Sequence, residues 1–265
     1  MGARYFVKSL ARGLGILETV ANSPQGLSLT EVASAMDLGK TTVYGFLFTL
    51  EQLGYVARDP DTKAYSPGLK VLDLGFAYLN SKSILEIAQP YLRSLAEECG
   101  ATTDVSVRDG AEIVTLAMEK VWRIVAVGTY VGSRLPVHCS ASGKAQLVDL
   151  GRKELLALLG EGAYPAHGPN TITGLDVLLE ELDRTRRRGY ALTDEELAPG
   201  LRSVAAPIRD RDGQIVAAIC ITAPTSIYSR RELEEVLAPK VLEAAGKIAA
   251  ALTVDASPHL LAAGE

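Results

Sequence analysis

A chain of 265 residues, with 48% hydrophobic and 22% charged side chains, has room for one large domain or two ordinary ones and is too apolar to be disordered overall. Its net charge of −5 and isoelectric point near 5.4 exclude broad attraction to nucleic acid, so any phosphate contact must rest on a local group of cations. Three cysteines at no metal-ligand spacing, no signal-peptide pattern and no run of about 20 apolar residues predict a cytoplasmic protein without a disulfide framework.

In chain order, Val7, Leu10, Leu14 and Leu17 recur at helical spacing and predict a first helix packed on that face, ending near Ala21 before the breakers Asn22 to Gly26. Ser28 and Glu31 have the form of a capping box for a short helix carrying Leu29, Val32, Ala33 and Met36. Residues 37–53 form a tight turn and a second amphipathic helix, with Gly39 as N-cap. Val43, Phe46, Leu47, Leu50 and Leu53 make its apolar stripe. Lys40, Thr41, Thr42, Tyr44, Gly45 and Phe48 fall elsewhere and suit a helix lying in a DNA major groove. Residues 54–58, a turn at 59–62 and residues 63–66 read as a hairpin, with Arg58 and Lys63 near its tip, where cations can meet phosphate. Helix, helix, turn, helix and hairpin together are a winged helix-turn-helix. By themselves these parts serve equally as an ordinary packing unit.

After Pro67-Gly68, the residues Leu69, Leu72, Phe76 and Leu79 predict a linking helix. A further helix runs from Ser83 toward Cys99, where Pro90 should kink or restart it. Beyond Gly100 the period changes: 103–107, 112–118 and 124–127 are strand-like, and 203–208 and 214–222 flank a turn at 209–213. Helices are expected over 142–150, 175–188 and 229–252. Hairpins with segregated helices indicate an α+β domain with an antiparallel sheet.

The run His138-Cys139-Ser140-Ala141-Ser142-Gly143-Lys144 superficially suggests a phosphate loop or a reactive thiol. A Walker loop needs Gly where His138 stands and Ser or Thr where Ala145 stands, and no third group orients a nucleophile. A helix start after Ser140 instead offers backbone N–H groups to a carboxylate. Lys144 reads either as an ion-pair partner or as a solvated residue. His138, His167 and His259 are scattered in the chain, so no metal site and no cofactor are expected.

The blocks VKSLARGLGILETV, GLSLTEVASAM, KTTVYGFLFTLEQLGYVARD, VGSRLPVHCSASGKA and RGYALTDEELAPGLRSVAAPIRD resemble, in order and interval, the IclR family of bacterial transcriptional regulators from about Val7 to Ala250. The resemblance implies a winged helix-turn-helix over 1–67, a linker helix over 68–82, an effector-binding α+β domain of GAF- or profilin-like fold over 83–254 and a flexible tail over 255–265. It implies a homodimer or dimer of dimers on double-stranded promoter DNA, controlled by a small organic acid such as a keto or aromatic carboxylate, with no membrane and no enzymatic role. By motif, Lys40, Thr41, Thr42, Tyr44, Gly45, Phe48, Arg58 and Lys63 fall on the DNA side. Ala141, Ser142, Thr193, Asp194, Ser203, Cys220 and Thr222 fall on the effector side, with Leu135, Met118 and Trp122 as weaker candidates for an apolar wall. Gly45 departs from the family, whose members commonly carry Arg there, and cations and acids nearly balance over residues 1–70. Two rivals stay open: an enzyme acting on a small acid through Cys139 or Cys220, and a sensing dimer whose DNA binding has degenerated.

Overall fold

The computed structural model describes residues 5–80, 83–120 and 129–255. Trp122, the side chain of Leu79, the strand expected over 124–127 and the tail from 256 onward lie outside the described residues. The chain divides into two compact units, Met1–Ser81 and Lys82–Glu265.

The first unit contains α1 (Lys8–Ala21), α2 (Leu29–Ala35), α3 (Lys40–Gln52), β1 (Val56–Arg58), β2 (Tyr65–Pro67) and α4 (Lys70–Asn80). The capping box forms at α2: Ser28 N donates to Glu31 Oε2 at 2.7 Å and Glu31 N to Ser28 Oγ at 3.3 Å. Gly39 is the N-cap of α3. The strands pair antiparallel, Val56 opposite Pro67 and Arg58 opposite Tyr65, and Leu27 adds a bridge to Tyr65. At the tip, Asp59 Oδ1 accepts from the backbone of Asp61 and Thr62 at 2.9 and 2.7 Å. The core is Ile16, Val20, Val32, Ala33, Val43, Leu47, Val56 and Tyr65.

The first helix docks on a different face from the one its spacing predicts. Val7, Leu10 and Leu14 are exposed, while Ile16 and Val20 are buried and Leu17 is partly covered. Small residues decide this. A Cβ at Gly15 would lie 3.1 Å from Met36 Cε and one at Gly13 would lie 3.5 Å from the Phe46 ring, so the glycines mark where neighbouring side chains come close.

The second unit contains α5 (Ser83–Cys99), β3 (Thr102–Asp109), β4 (Glu112–Glu119), β5 (Arg134–Pro136), α6 (Ala141–Leu147), α7 (Arg152–Leu159), α8 (Leu175–Arg188), β6 (Ala191–Asp194), β7 (Leu201–Arg209), β8 (Ile215–Pro224), α9 (Arg230–Glu232), a π turn (Leu233–Leu237) and α10 (Ala238–Asp255). The six strands form one antiparallel sheet in the order β5-β4-β3-β8-β7-β6. Helix α5 continues through Pro90 without restarting.

Alternation along the strands separates two layers. Val204, Ile219 and Ile221 belong to the core with Leu92 of α5 and Val241 and Ile248 of α10, whereas Ala205, Ala218 and Cys220 pack with Ala141 and Ala145 of α6. Every residue of α6 is buried. Its small side chains let it lie close against the sheet.

Candidate functional site

On α3 the buried Val43 and Leu47 leave Lys40, Thr41, Thr42, Tyr44, Gly45 and Phe48 exposed on the remaining surface. Tyr44 and Phe48, one turn apart, stand with ring centroids 6.3 Å apart. No acidic residue occupies the first turn and no side chain caps it, so the first N–H groups and Lys40 present positive potential to an anion. A Cβ at Gly45 would meet nothing within 4 Å. On the hairpin, the Arg58 guanidinium lies over the Tyr65 ring at 5.4 Å. Lys63 sits at φ +60 and turns its ammonium back to the Pro60 carbonyl, so its charge is partly engaged within the wing.

The second unit encloses a cavity of about 50 Å³, enough for a few waters. Its wall includes Thr193, Ser203 and Thr222 from the expected set, together with Met118 and Leu135. Ser203 Oγ and Thr222 Oγ1 are 2.9 Å apart, and Cys220 Sγ is 3.7 Å from the same Thr222 hydroxyl. Ala141, Ser142 and Cys220 lie in the buried layer around α6 and are not among the lining residues. Asp194 is not a lining residue either: its carboxylate accepts from Arg202 Nε at 2.6 Å, and Arg202 also donates to the Tyr228 carbonyl at 3.0 Å.

Among the wall residues that the sequence did not single out, Thr102 and Asp104 bring the polar chemistry that stands out. Thr102 Oγ1 is buried without a hydrogen-bond partner. Asp104, opposite Cys220 in the register of β3 and β8, is buried with no cation beside it among the described residues, and burial pushes its carboxyl up to about 7 against a bond from Cys220. Burial thus favours the protonated carboxyl far more than in an exposed aspartate. The missed signal was the run of polar residues on β3: Thr102 and Asp104 share one face while Thr103 points to the other, where its hydroxyl donates to Leu92 O at 2.9 Å.

The start of α6 does not present itself to a carboxylate. Ser140 Oγ accepts from Gly143 N at 3.2 Å and donates to Pro136 O at 2.7 Å, so the helix is capped from within. Lys144 is not a surface residue: its Nζ reaches Glu196 Oε1 at 2.6 Å and Leu192 O at 2.9 Å with its side chain fully covered. Burial pushes Lys144 down and Glu196 up, against their mutual attraction. Burial also drives the Cys139 thiol up to about 12 and raises that of Cys220, so neither is a thiolate at neutral pH. Both shifts run against the thiolate that a cysteine nucleophile needs.

Close packing makes α6 sensitive to a single methyl. A Cβ at Gly143 would lie 2.4 Å from both Val137 Cα and Val137 O. Gly143→Ala is expected to lower stability by about 1–3 kcal/mol or more, read as a fall in urea midpoint, because backbone rather than a flexible side chain must move.

Two family models match the chain: the IclR helix-turn-helix domain over residues 9–60 and the bacterial transcriptional regulator IclR C-terminal domain over residues 76–250. The HTH-type transcriptional repressor AllR of Escherichia coli K12 is 32% identical over 219 residues, which are 83% of this chain and 81% of that protein. The AllR repressor of Salmonella typhi matches equally, over 80% of its length. Among solved structures, IclR of Thermotoga maritima superposes with a TM-score of 0.74 at 30% identity, covering 92% of this chain and 98% of its own. A protein of Rhodococcus sp. RHA1, inferred to be a transcriptional regulator, superposes with 0.82 at 39% identity, covering 93% and 98%.

Proposed function

The chain belongs to the IclR family of bacterial transcriptional regulators, and on that premise we propose that it is a cytoplasmic repressor of a catabolic operon, released from its promoter by a small organic acid. The repressive sign follows the similarity to the AllR proteins. The observation that carries the reading is the pairing of two features on one chain: a helix-turn-helix unit with an exposed polar helix, and a separate unit enclosing a hydroxyl-lined cavity. Lys40, Thr41, Thr42, Tyr44 and Phe48 of α3, with Arg58 and Lys63 of the wing, are the DNA-facing residues in this account. Exposed apolar side chains at Leu10 and Leu14 of α1 and Leu72 and Phe76 of α4 support assembly of the DNA-binding units with a second copy.

For the effector, Thr193, Ser203 and Thr222 supply hydroxyl donors and Met118 and Leu135 an apolar wall. Asp104 belongs to the same site. Protonated, it donates a hydrogen bond to a carboxylate; ionised, it repels one. Cys220 acts one layer behind by contacting the Thr222 and Ser203 hydroxyls, Ser142 through its contact with Cys220, and Asp194 through its pair with Arg202. Melting the purified chain against a panel of keto and aromatic carboxylates at pH 6 tests the assignment. A rise in melting temperature for one class supports it, and a flat panel at millimolar concentrations contradicts it.

Gly45 bears on the DNA side. The space beside it is open, so Gly45→Arg adds a cation without a clash. We expect tighter binding to DNA from the chain's own upstream region, with the slope of log K against log salt steeper by about 0.9 per subunit for one added phosphate contact. Anisotropy titrations between low and moderate salt read this slope. An unchanged slope means that this face of α3 does not lie on DNA.

A further inference from the structure

We infer that His138, Cys139 and His167 form a binding site for one divalent ion of the zinc class, joining the turn before α6 to the loop before α8. One nitrogen of each histidine and the Cys139 sulfur all lie within 4.8 Å of one another. Two histidines and a thiol are a donor set suited to zinc, cobalt or copper. The chain separates His167 from the other two, and the fold brings them together.

Local backbone explains the convergence. In a strand, adjacent His138 and Cys139 would point to opposite faces. Here β5 ends at Pro136 and both residues lie in the turn leading to α6. Ser140 Oγ closes that turn by donating to Pro136 O at 2.7 Å, and Cys139 Sγ faces the same carbonyl at 3.9 Å. On the other side, the backbone of His167 and Gly168 donates to Thr171 Oγ1 at 2.9 and 2.8 Å. That hydroxyl in turn donates to Glu196 O at 2.6 Å, which ties the loop to the segment after β6. The His138 and His167 ring centroids lie 5.9 Å apart, with the rings tilted by 49°.

The surroundings favour coordination in a further way. His138 Nε2 lies 3.0 Å from Pro165 O. Donation to that carbonyl leaves Nδ1 with a free lone pair, the outer-shell arrangement that orients metal-bound histidines. His138 and Cys139 are buried and His167 is exposed, which gives the ion a dry floor and an entry path. Tetrahedral zinc with bonds of about 2.0–2.3 Å sets its ligands roughly 3.3–3.8 Å apart, so closure needs movements of about 1 Å, within reach of a rotation of the exposed His167. On coordination the Cys139 thiol proton passes to solvent and the thiolate takes its place on the ion. The fourth position is open to water.

The test uses tag-free full-length protein stripped by chelator and titrated with cobalt(II) and then zinc(II). One ion per chain, a thiolate-to-cobalt charge-transfer band displaced by zinc, and a higher melting temperature with zinc are expected. His167→Ala, at an exposed position, should keep the metal-free melting temperature while weakening the ion at least 100-fold, and Cys139→Ser should abolish the band. Absence of the band in the wild-type chain, or zinc affinity unchanged in His167→Ala, overturns the assignment.

Discussion

Lys144→Met is expected to lower unfolding free energy by about 3–5 kcal/mol at pH 8, because removing one partner of a buried ion pair leaves the other charge uncompensated. The Lys144 side chain is fully covered and its ammonium touches only Glu196 and the Leu192 carbonyl among the partners described. Glu196 Oε2 has no partner even in the intact pair. Without Lys144 the Glu196 carboxyl, already raised by burial, loses the attraction that opposes the rise. A carboxyl with a folded pKa above its unfolded value gives stability that is fully present below the unfolded value and lost as pH rises through the folded one. The variant should therefore recover part of its loss between pH 8 and pH 5. Glu196→Leu added to Lys144→Met should restore most of the loss, since an apolar pair of similar volume is often neutral or better. Urea denaturation of the single and double variants at both pH values measures this. A loss under about 1 kcal/mol for Lys144→Met at pH 8 contradicts a buried pair.

The affinity of the acid effector is expected to fall about tenfold per pH unit above pH 7, and Asp104→Asn should flatten that dependence. The sign follows from the cavity wall. Asp104 is buried there, its carboxyl is raised to about 7, and no cation stands beside it among the described residues. Below pH 7 the protonated carboxyl donates to the incoming carboxylate. Above it, binding must first take up a proton, so each pH unit adds about 1.4 kcal/mol of unfavourable free energy. Asn keeps a donor N–H in a similar volume and has no proton to gain. Calorimetric titrations at pH 6, 7 and 8 with the acid found by melting separate the outcomes. Affinity rising with pH in the wild-type chain would show that the cavity takes a neutral or cationic donor instead.

Local signals made much of this fold legible. The capping box at Ser28 and Glu31, the N-cap at Gly39 and the Asp59 turn are short-range chemistry, and each forms where the residues indicate. Strand alternation placed β3, β4, β7 and β8, although β6 and the short α7 between Gly151 and Gly160 escaped, both too brief to show a period. What the sequence could not reveal depends on partners distant in the chain. The docked face of α1 is selected by Met36 and Phe46 meeting Gly15 and Gly13. Lys144 is read as buried only once Glu196 is beside it.

The cavity shows the same division. Thr193, Ser203 and Thr222 were reachable by motif, whereas Asp104 and the unpartnered Thr102 hydroxyl joined them only through the pairing of β3 with β8. Asp194 carries the right residue type at the right motif position, and its carboxylate is nevertheless held by Arg202. The convergence of His138, Cys139 and His167 likewise depends on a turn and a loop far apart in the chain.

Anisotropy of the purified chain on DNA from its own upstream region, at low salt and pH 6, with and without the carboxylate that raises its melting temperature, joins both units in one readout. The account predicts saturable binding that weakens with added salt and is released by the acid, with release lost when Thr193, Ser203 and Thr222 are replaced together by Val, Ala and Val. No binding to that DNA under any of these conditions, or release that persists in the triple variant, would contradict it.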